Sequence, residues 1–370
     1  MKVQHPRLYK QSKTGTIVIC DISVTGDTIT VTTGQLEGAK IDHKTICEPK
    51  NMGKKNETSP HEQACLEAAS KWNKKIKGGY VEDPSGEITR KLPMKVKKYQ
   101  DQKANIIFPC YISPKLDGIN GMFNLTRTEA GTEFELLSRG GDSRPVIPHL
   151  EEELNDIADK LKSSALNGEL YIPGMHLQDI SACVTKTNPD SAKLQFHIFE
   201  IADSKLTYNE KVPLFNSIDN SKYNHVKIVK ALIANSHEEI DKYLEDCLKK
   251  GYEGIIIRNA GCVYEYNVRS SNAFKYKLPL DAEYKIVDYR IDKKGHPVFR
   301  CITPESDGGR EFSVKIKGTD AERKRIAENA DAWIGQWLKI EFENYSKDKK
   351  PLKPVGICLR ECDADGNPIE

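Results

Sequence analysis

The sequence predicts an α+β protein of three units: a small β-rich N-terminal domain at 1–95, a mixed domain of catalytic size at 106–280, and a C-terminal β-barrel at 281–370. Three observations lead there. The first 80 residues hold strand-like runs followed by one strongly capped helix. Residues 106–280 alternate helical periodicity with short apolar runs of strand type. Residues 283–362 return to strands around a single helix.

In the first unit, "GTIVIC" and "DTITVTT" read as strands broken at Thr25-Gly26-Asp27. A helix then starts at Ser59, whose side chain can cap it. Pro60 suits the first turn, and Glu62 completes a capping box. Its apolar stripe is Cys65, Ala68, Ala69, Trp72 and Ile76, and Gly78-Gly79 stops it. The polar stretch 82–103 reads as a linker. In the second unit, "HLEEELNDIADKLKSS" is helical, with Leu150, Leu154, Ile157 and Leu161 on one face, and "EEIDKYLEDCLKK" is a helix stopped by Gly251. Strands are expected at "GELYI", "LQFHIFEIA", "GIIIR" and "AFKYKL". In the third, "EYKIVDYRI", "PVFRCIT", "REFSVKI", "WLKIEFENY" and "PVGICLRE", with "DAERKRIAENA" as a helix between the third and fourth, suggest a small barrel of the OB kind.

Composition narrows the function classes. The chain has no apolar run long enough to cross a membrane, and its N-terminus lacks the apolar core of a signal peptide. Ten scattered cysteines without a CxxC pair read as reduced thiols in a cytosolic compartment. The net charge of +2 hides an asymmetry: residues 1–105 carry 19 Lys and Arg against 12 Asp and Glu, and the rest carries 37 against 42. A basic first quarter is consistent with a polyanionic partner. No GxxxxGK[ST] loop, no GxGxxG after a strand and no GxSxG is present, which disfavours P-loop, Rossmann and serine-hydrolase chemistry.

Several residues are placed for chemistry. "SPKLDGIN" sets Lys115 two residues from Asp117 on a turn-like stretch. In the strand "AFKYKLP" the period of two puts Lys275 and Lys277 on one face, where like charges need a compensating anion such as phosphate. "YEGIIIRN" puts Glu253 at the mouth of an apolar strand, suited to a metal or a loop cap. In "LQFHIFEIAD", Phe199 shares a face with Gln195 and His197, where a ring can stack on a base; His197 reads as a hydrogen-bonded strand residue. Glu169 precedes a strand in "LNGELY", and Arg139 and Arg144 lie in the glycine-rich "LLSRGGDSRP", a suitable phosphate clamp. Singly, each also reads as an ordinary surface or core residue.

Their order resembles the covalent nucleotidyltransferases, most closely the ATP-dependent DNA ligases. Lys115-Leu116-Asp117-Gly118 matches KxDG. Ser138 to Gly140, Gly168-Glu169, Ile198-Phe199-Glu200, Glu253-Gly254, Arg269-Ser270 and Lys275-x-Lys277 follow in the family's order over about 110–278. The resemblance implies a nucleotidyltransferase catalytic domain of the ATP-grasp-like ligase type followed by an OB-fold. It implies ATP and Mg²⁺ as cofactors and nicked double-stranded DNA as partner. It makes Lys115 the nucleophile that carries AMP, with Lys275 and Lys277 neutralising the phosphate. Phe199 would stack on adenine, Ser113 would read its edge and Glu169 would bind the ribose. Glu253 would hold the metal, with Glu169 as a second carboxylate. Arg139 would grip the 5′-phosphate of a nick, and Arg269 the phosphates. An amine nucleophile must be unprotonated, and a free lysine titrates near about 10.4, so a cationic site is required.

Two positions depart from the family. Asn120 stands where an arginine is usual, and "PLKPVGICLRE" lacks the usual arginine near its proline, leaving Lys353 or Arg360 to replace it. The N-terminal unit faintly resembles the WGR-type DNA-binding module, without Trp-Gly-Arg, and is read as a basic DNA-docking domain; a stability or partner domain is the alternative. The alternatives in function are an RNA ligase, a capping guanylyltransferase, or a non-catalytic nucleic-acid-binding protein that kept the fold. The expected setting is a monomer with no membrane attachment in a cytoplasm, nucleoid-associated, or in the host cytoplasm if the source is viral.

Overall fold

Turn chemistry starts the N-terminal unit in the computed structural model, which describes residues 2–12, 14–86 and 91–369. Strands Ile17–Thr25 and Thr28–Gln35 form a hairpin through the two-residue turn Gly26-Asp27. Gly26 opens that turn at φ +60°, a conformation that favours glycine. Lys2–Gln4, Leu8–Gln11 and Lys40–Ile46 complete a five-stranded antiparallel sheet. Helix α1, Pro60–Lys77, carries the expected capping box, with Ser59 and Glu62 satisfying each other's backbone N–H groups. Ala64, Ala68, Trp72 and Ile76 of α1 pack on Leu8, Cys20, Ile22, Val24 and Ile29. Ala64 takes the core position expected of Ala69, because the buried face is turned by part of a step.

Two sheets form the middle unit. The six-stranded one runs, in spatial order, Ser143–Arg144, Gly131–Ser138, Ile119–Thr128, Ala165–Tyr171, Gln195–Ile201 and Val226–Ile228. The five-stranded one runs Leu232–Ala234, Cys110–Lys115, Gly254–Asn259, Arg269–Tyr276 and Lys95–Lys98. Helix α2, Glu151–Leu161, buries Leu154, Ile157 and Leu161 beside the first sheet, as its stripe predicts. Helices α3, Leu177–Thr185, and α4, Tyr208–Ser217, pack into the same core and were not foreseen; α4 is short and carries Pro213 in its interior. Helix α5, His237–Lys249, lays Ile240, Leu244 and Cys247 on Ile112, Ile255 and Ile257 of the second sheet.

The linker reading of 82–103 needs correction, apart from residues 87–90, which lie outside the described residues. Lys95–Lys98 is a strand, parallel to Arg269–Tyr276, and Met94 and Val96 pack against the middle unit's core. The alternating charges of "KVKK" hide one apolar residue pointing inward.

In the third unit, Leu280–Ile291, Pro297–Ile302, Glu311–Ile316, Trp337–Phe342 and Val355–Arg360 close into a barrel. Helix α6, Asp320–Glu328, lies between the third and fourth of these, as expected. A small hairpin, Asn344–Tyr345 with Pro351–Leu352, leaves the barrel toward the middle unit. All ten cysteines are free thiols. Among the described residues no helix is long and apolar enough to cross a membrane.

Candidate active site

The site is built on three neighbouring antiparallel strands. Ser113 of Cys110–Lys115 pairs with Ile256, and Ile256 with Lys275. Two residues on, Lys115 pairs with Gly254. The period of two therefore sends Ser113 and Lys115 from one strand, and Lys275 and Lys277 from another, to the same side. These segments are far apart in sequence, and the ladder alone brings them together.

Two glycines let the strands meet so closely. A Cβ on Gly118 would lie 2.4 Å from the Leu170 carbonyl oxygen and 2.8 Å from Glu169 Cγ. A Cβ on Gly254, at φ +154°, would lie 2.3 Å from the Tyr276 carbonyl oxygen. Any side chain at either place would push Lys115 or Glu253 out of position.

Lys115 Nζ donates to Glu253 Oε2, and Lys277 Nζ donates to Glu253 Oε1 at 2.9 Å. Glu343, at the end of the fourth barrel strand, stands 3.6 Å from Lys277 Nζ and 2.7 Å from Lys353 Nζ. The facing sheet supplies Glu169 and Phe199, and the loop after Ser138 supplies Arg139. All nine expected side chains, Ser113, Lys115, Arg139, Glu169, Phe199, Glu253, Arg269, Lys275 and Lys277, line one cavity of about 840 Å³. Arg269 Nη1 donates to the Val96 carbonyl at 2.7 Å, which anchors its guanidinium at the cavity wall.

Charge in the cavity is finely opposed. Burial pushes the Glu169 carboxyl up to about 7, against the pull of Lys115 and Arg139. Burial, then the charge of Glu253, raises Asp117. Burial also works to raise Glu253, but Lys115 and Lys277 outweigh it and hold it below the ordinary carboxylate range. Lys275 is lowered by burial and by the charges of Lys277 and Lys115. Burial works to lower Lys277 too, yet its bonds to Glu253 and Glu343 leave it raised. The lysine pair thus splits into one firmly charged ammonium and one more readily neutralised.

His197 Nε2 donates to Gln195 Oε1 at 2.9 Å, as a hydrogen-bonded strand residue should. Asn120 is buried and donates to the Gly168 carbonyl at 3.2 Å. It is a strut between strands that also lines the cavity. Lys353 lines the cavity, whereas Arg360 pairs with Glu283 at 3.2 Å on the barrel and does not line it.

Sequence reasoning missed a buried charge group behind Phe199. Lys211 Nζ donates to Glu200 Oε1 at 2.6 Å, and Arg258 Nε stands 3.6 Å from Glu200 Oε2. The Arg258 guanidinium lies 5.6 Å from the Phe199 ring centroid and 4.8 Å from that of Tyr208. An arginine inside "GIIIRN" was the available signal. Lys211 gave none, since helix α4 was not foreseen.

Among the described residues no group of three or more His, Cys, Asp or Glu is arranged as a metal cage. Mg²⁺ does not need one: it is held by one or two carboxylates, waters and substrate phosphates. Glu253 and Glu169 open into the same cavity as Asp117. The donor set fits a hard divalent cation.

Comparison with known proteins places this constellation. Residues 93–277 match the model of the ATP dependent DNA ligase domain. A DNA ligase of African swine fever virus is 30% identical over 358 residues, covering 88% of this chain and 82% of that protein. The chain belongs to the ATP-dependent DNA ligases. A DNA ligase of Enterobacteria phage T6 is 24% identical over 330 residues, covering 72% of this chain and 67% of the phage protein. Among solved structures, a Lig E DNA ligase matches with a TM-score of 0.56 and 22% identity, over 73% of this ligase and 99% of that chain; at that identity it speaks for the fold. The family match begins at residue 93, so it includes the strand Lys95–Lys98 that the linker reading left out.

Proposed function

We propose that this ligase seals 3′-hydroxyl/5′-phosphate nicks in duplex DNA, with Lys115 as the nucleophile that carries AMP. The observation that supports it most is the meeting of Lys115, Glu253 and Lys277 in one ion-paired group inside the cavity. In the first step Lys115 Nζ, freed from its ion pair with Glu253, gives up a proton to water. Its lone pair attacks the α-phosphorus of ATP, forming a P–N bond as the P–O bond to pyrophosphate breaks. In the second, an oxygen of the nick's 5′-phosphate attacks the same phosphorus and Lys115 leaves. In the third, the 3′-hydroxyl attacks the activated 5′-phosphate and AMP departs. All three are displacements at phosphorus, so one cationic pocket serves them. Lys275 and Lys277 face the phosphates, Arg139 and Arg269 hold those of the DNA, Phe199 stacks on adenine, Ser113 reads its edge and Glu169 takes the ribose hydroxyls. Mg²⁺, when bound by Glu253 and Glu169, supplies charge stabilisation of the phosphoryl oxygens.

The barrel is read as an OB-fold that closes over ATP and swings to the DNA, with its joint near Leu280–Glu283. Residues 1–86 are read as a DNA-docking domain, 92–280, with the strand Lys95–Lys98, as the adenylation domain and 281–370 as the OB domain. A monomer in a DNA-bearing cytoplasm, the host's if the source is viral like the African swine fever virus relative, completes the reading.

Labelled ATP with Mg²⁺ tests it. A covalent AMP adduct that Lys115→Ala abolishes, and sealing of nicked DNA in preference to nicked RNA, are expected. An adduct with GTP and none with ATP would transfer the chain to capping chemistry.

A further inference from the structure

The N-terminal unit reaches the mouth of the active site through one lysine. Lys77, in the last turn of α1, is 2.8 Å from Asp142 Oδ1 in the loop that carries Arg139. Its ammonium also lies within 3.9 Å of where a Cβ on Gly140 would stand. Behind it, Lys75 and Lys10 converge on one aromatic ring: their ammonium groups are 5.0 and 5.6 Å from the Tyr80 centroid. Lys74 is exposed on the same turn.

The helix macrodipole favours cations at a C-terminus. It accounts for the helical lysines but not for Lys10, which comes from the strand Leu8–Gln11 and reaches across to donate to the Gly78 carbonyl at 2.7 Å. Two ammonium groups on one ring repel each other unless an anion joins them. Cations interleaved with an aromatic, on the unit whose Lys77 pairs with the Arg139 loop, match the chemistry of a phosphodiester backbone.

We propose that Lys10 and Lys75, over the Tyr80 ring, and the exposed Lys74 on the same helical turn form a phosphate-binding track beside the Lys77–Asp142 contact with the Arg139 loop, and hold the duplex arm carrying the nick's 5′-phosphate. The inference rests on the ligase reading, because Arg139 sets the polarity. The three lysines belong to no part of the minimal nucleotide pocket.

The test uses the full-length chain, wild type and Lys10→Gln/Lys74→Gln/Lys75→Gln, with nicked duplexes at 50 to 200 mM salt. Self-adenylylation, which needs no DNA, is the control for folding and for the ligase reading itself. Each phosphate contact adds about 0.9 to the slope of log affinity against log salt, so the wild type should lose about 40-fold more affinity than the variant across that range. Trimming the 5′-phosphate arm should weaken the wild type and leave the variant unmoved. Equal slopes in two proteins that both form the AMP adduct would overturn the track and leave the ligase reading standing. So would a variant whose lost affinity depends on the 3′-hydroxyl arm. Failure of the wild type to form the adduct would instead remove the ligase reading and the track with it.

Discussion

Lys115 is held by charge, and its loss should be felt in chemistry and hardly at all in folding. Lys115→Arg keeps a cation beside Glu253 but no attacking amine; the expected result is no AMP adduct with an unchanged melting temperature. Gly118→Ala should do both kinds of damage. Its methyl group would sit 2.4 Å from a carbonyl oxygen, so overpacking of about 1–3 kcal/mol is expected in a denaturant titration. His197 offers a pH test. Burial, then the charge of Lys227, lowers it to about 4, whereas it is near 6.5 in the unfolded chain. The unfolded chain therefore binds the extra proton between those values, and stability contributed by neutral His197 is full above about 6.5 and lost as pH falls toward 4. His197→Gln should flatten that part of the melting-temperature curve. At this scale the sequence was most legible in which residues would meet, and Lys115, Glu253 and Lys277 do share one cavity. Asn120 was not legible, because its role depends on the Gly168 carbonyl of a strand nearly fifty residues away.

At the scale of the element, local signals read best. The Ser59 cap, Pro60 and Glu62 placed the start of α1 correctly, and Gly78 its end. Ser59→Ala should cost about 1 kcal/mol, seen as a lower melting temperature with AMP-adduct formation retained. The stripe of α2 was likewise visible, since its apolar spacing is regular, and α5 was read as a helix. Elements held by partners distant in sequence were obscure. Lys40–Ile46 is a strand with every residue exposed, formed only because Thr28–Gln35 offers its edge. Lys95–Lys98 exists because Arg269–Tyr276 lies beside it, and the charges in the segment disguised this. In both cases ladder hydrogen bonds decide the conformation, and hydrophobic periodicity is silent.

Across the whole molecule, the barrel is docked on the middle unit by polar contacts. Asn344 Nδ2 donates to Asp117 Oδ2 at 3.3 Å, the Lys347 backbone N–H donates to Gln178 Oε1 at 3.3 Å, and the Lys347 side chain pairs with Asp179. Glu343 meanwhile covers Lys277 and Lys353. A carboxylate in that place competes with a triphosphate for the same cations. Glu343→Gln is therefore expected to lower the KM for ATP about two- to five-fold, from a partly exposed pairing of about 0.5–1 kcal/mol. An increased KM would mean that Glu343 instead supports the nucleotide. Each of the three units has its own core and its own mix of elements. The docking between units was not legible in the sequence, since it depends on single polar side chains that look like any surface residue.

The paired strands beneath the cavity carry one more consequence. Since backbone rungs, and not neighbouring positions along the chain, keep Lys115 opposite Gly254, the loops that join them are free to vary in length. A chain severed at the exposed turn Glu129-Ala130 and left associated would still present its amine to ATP.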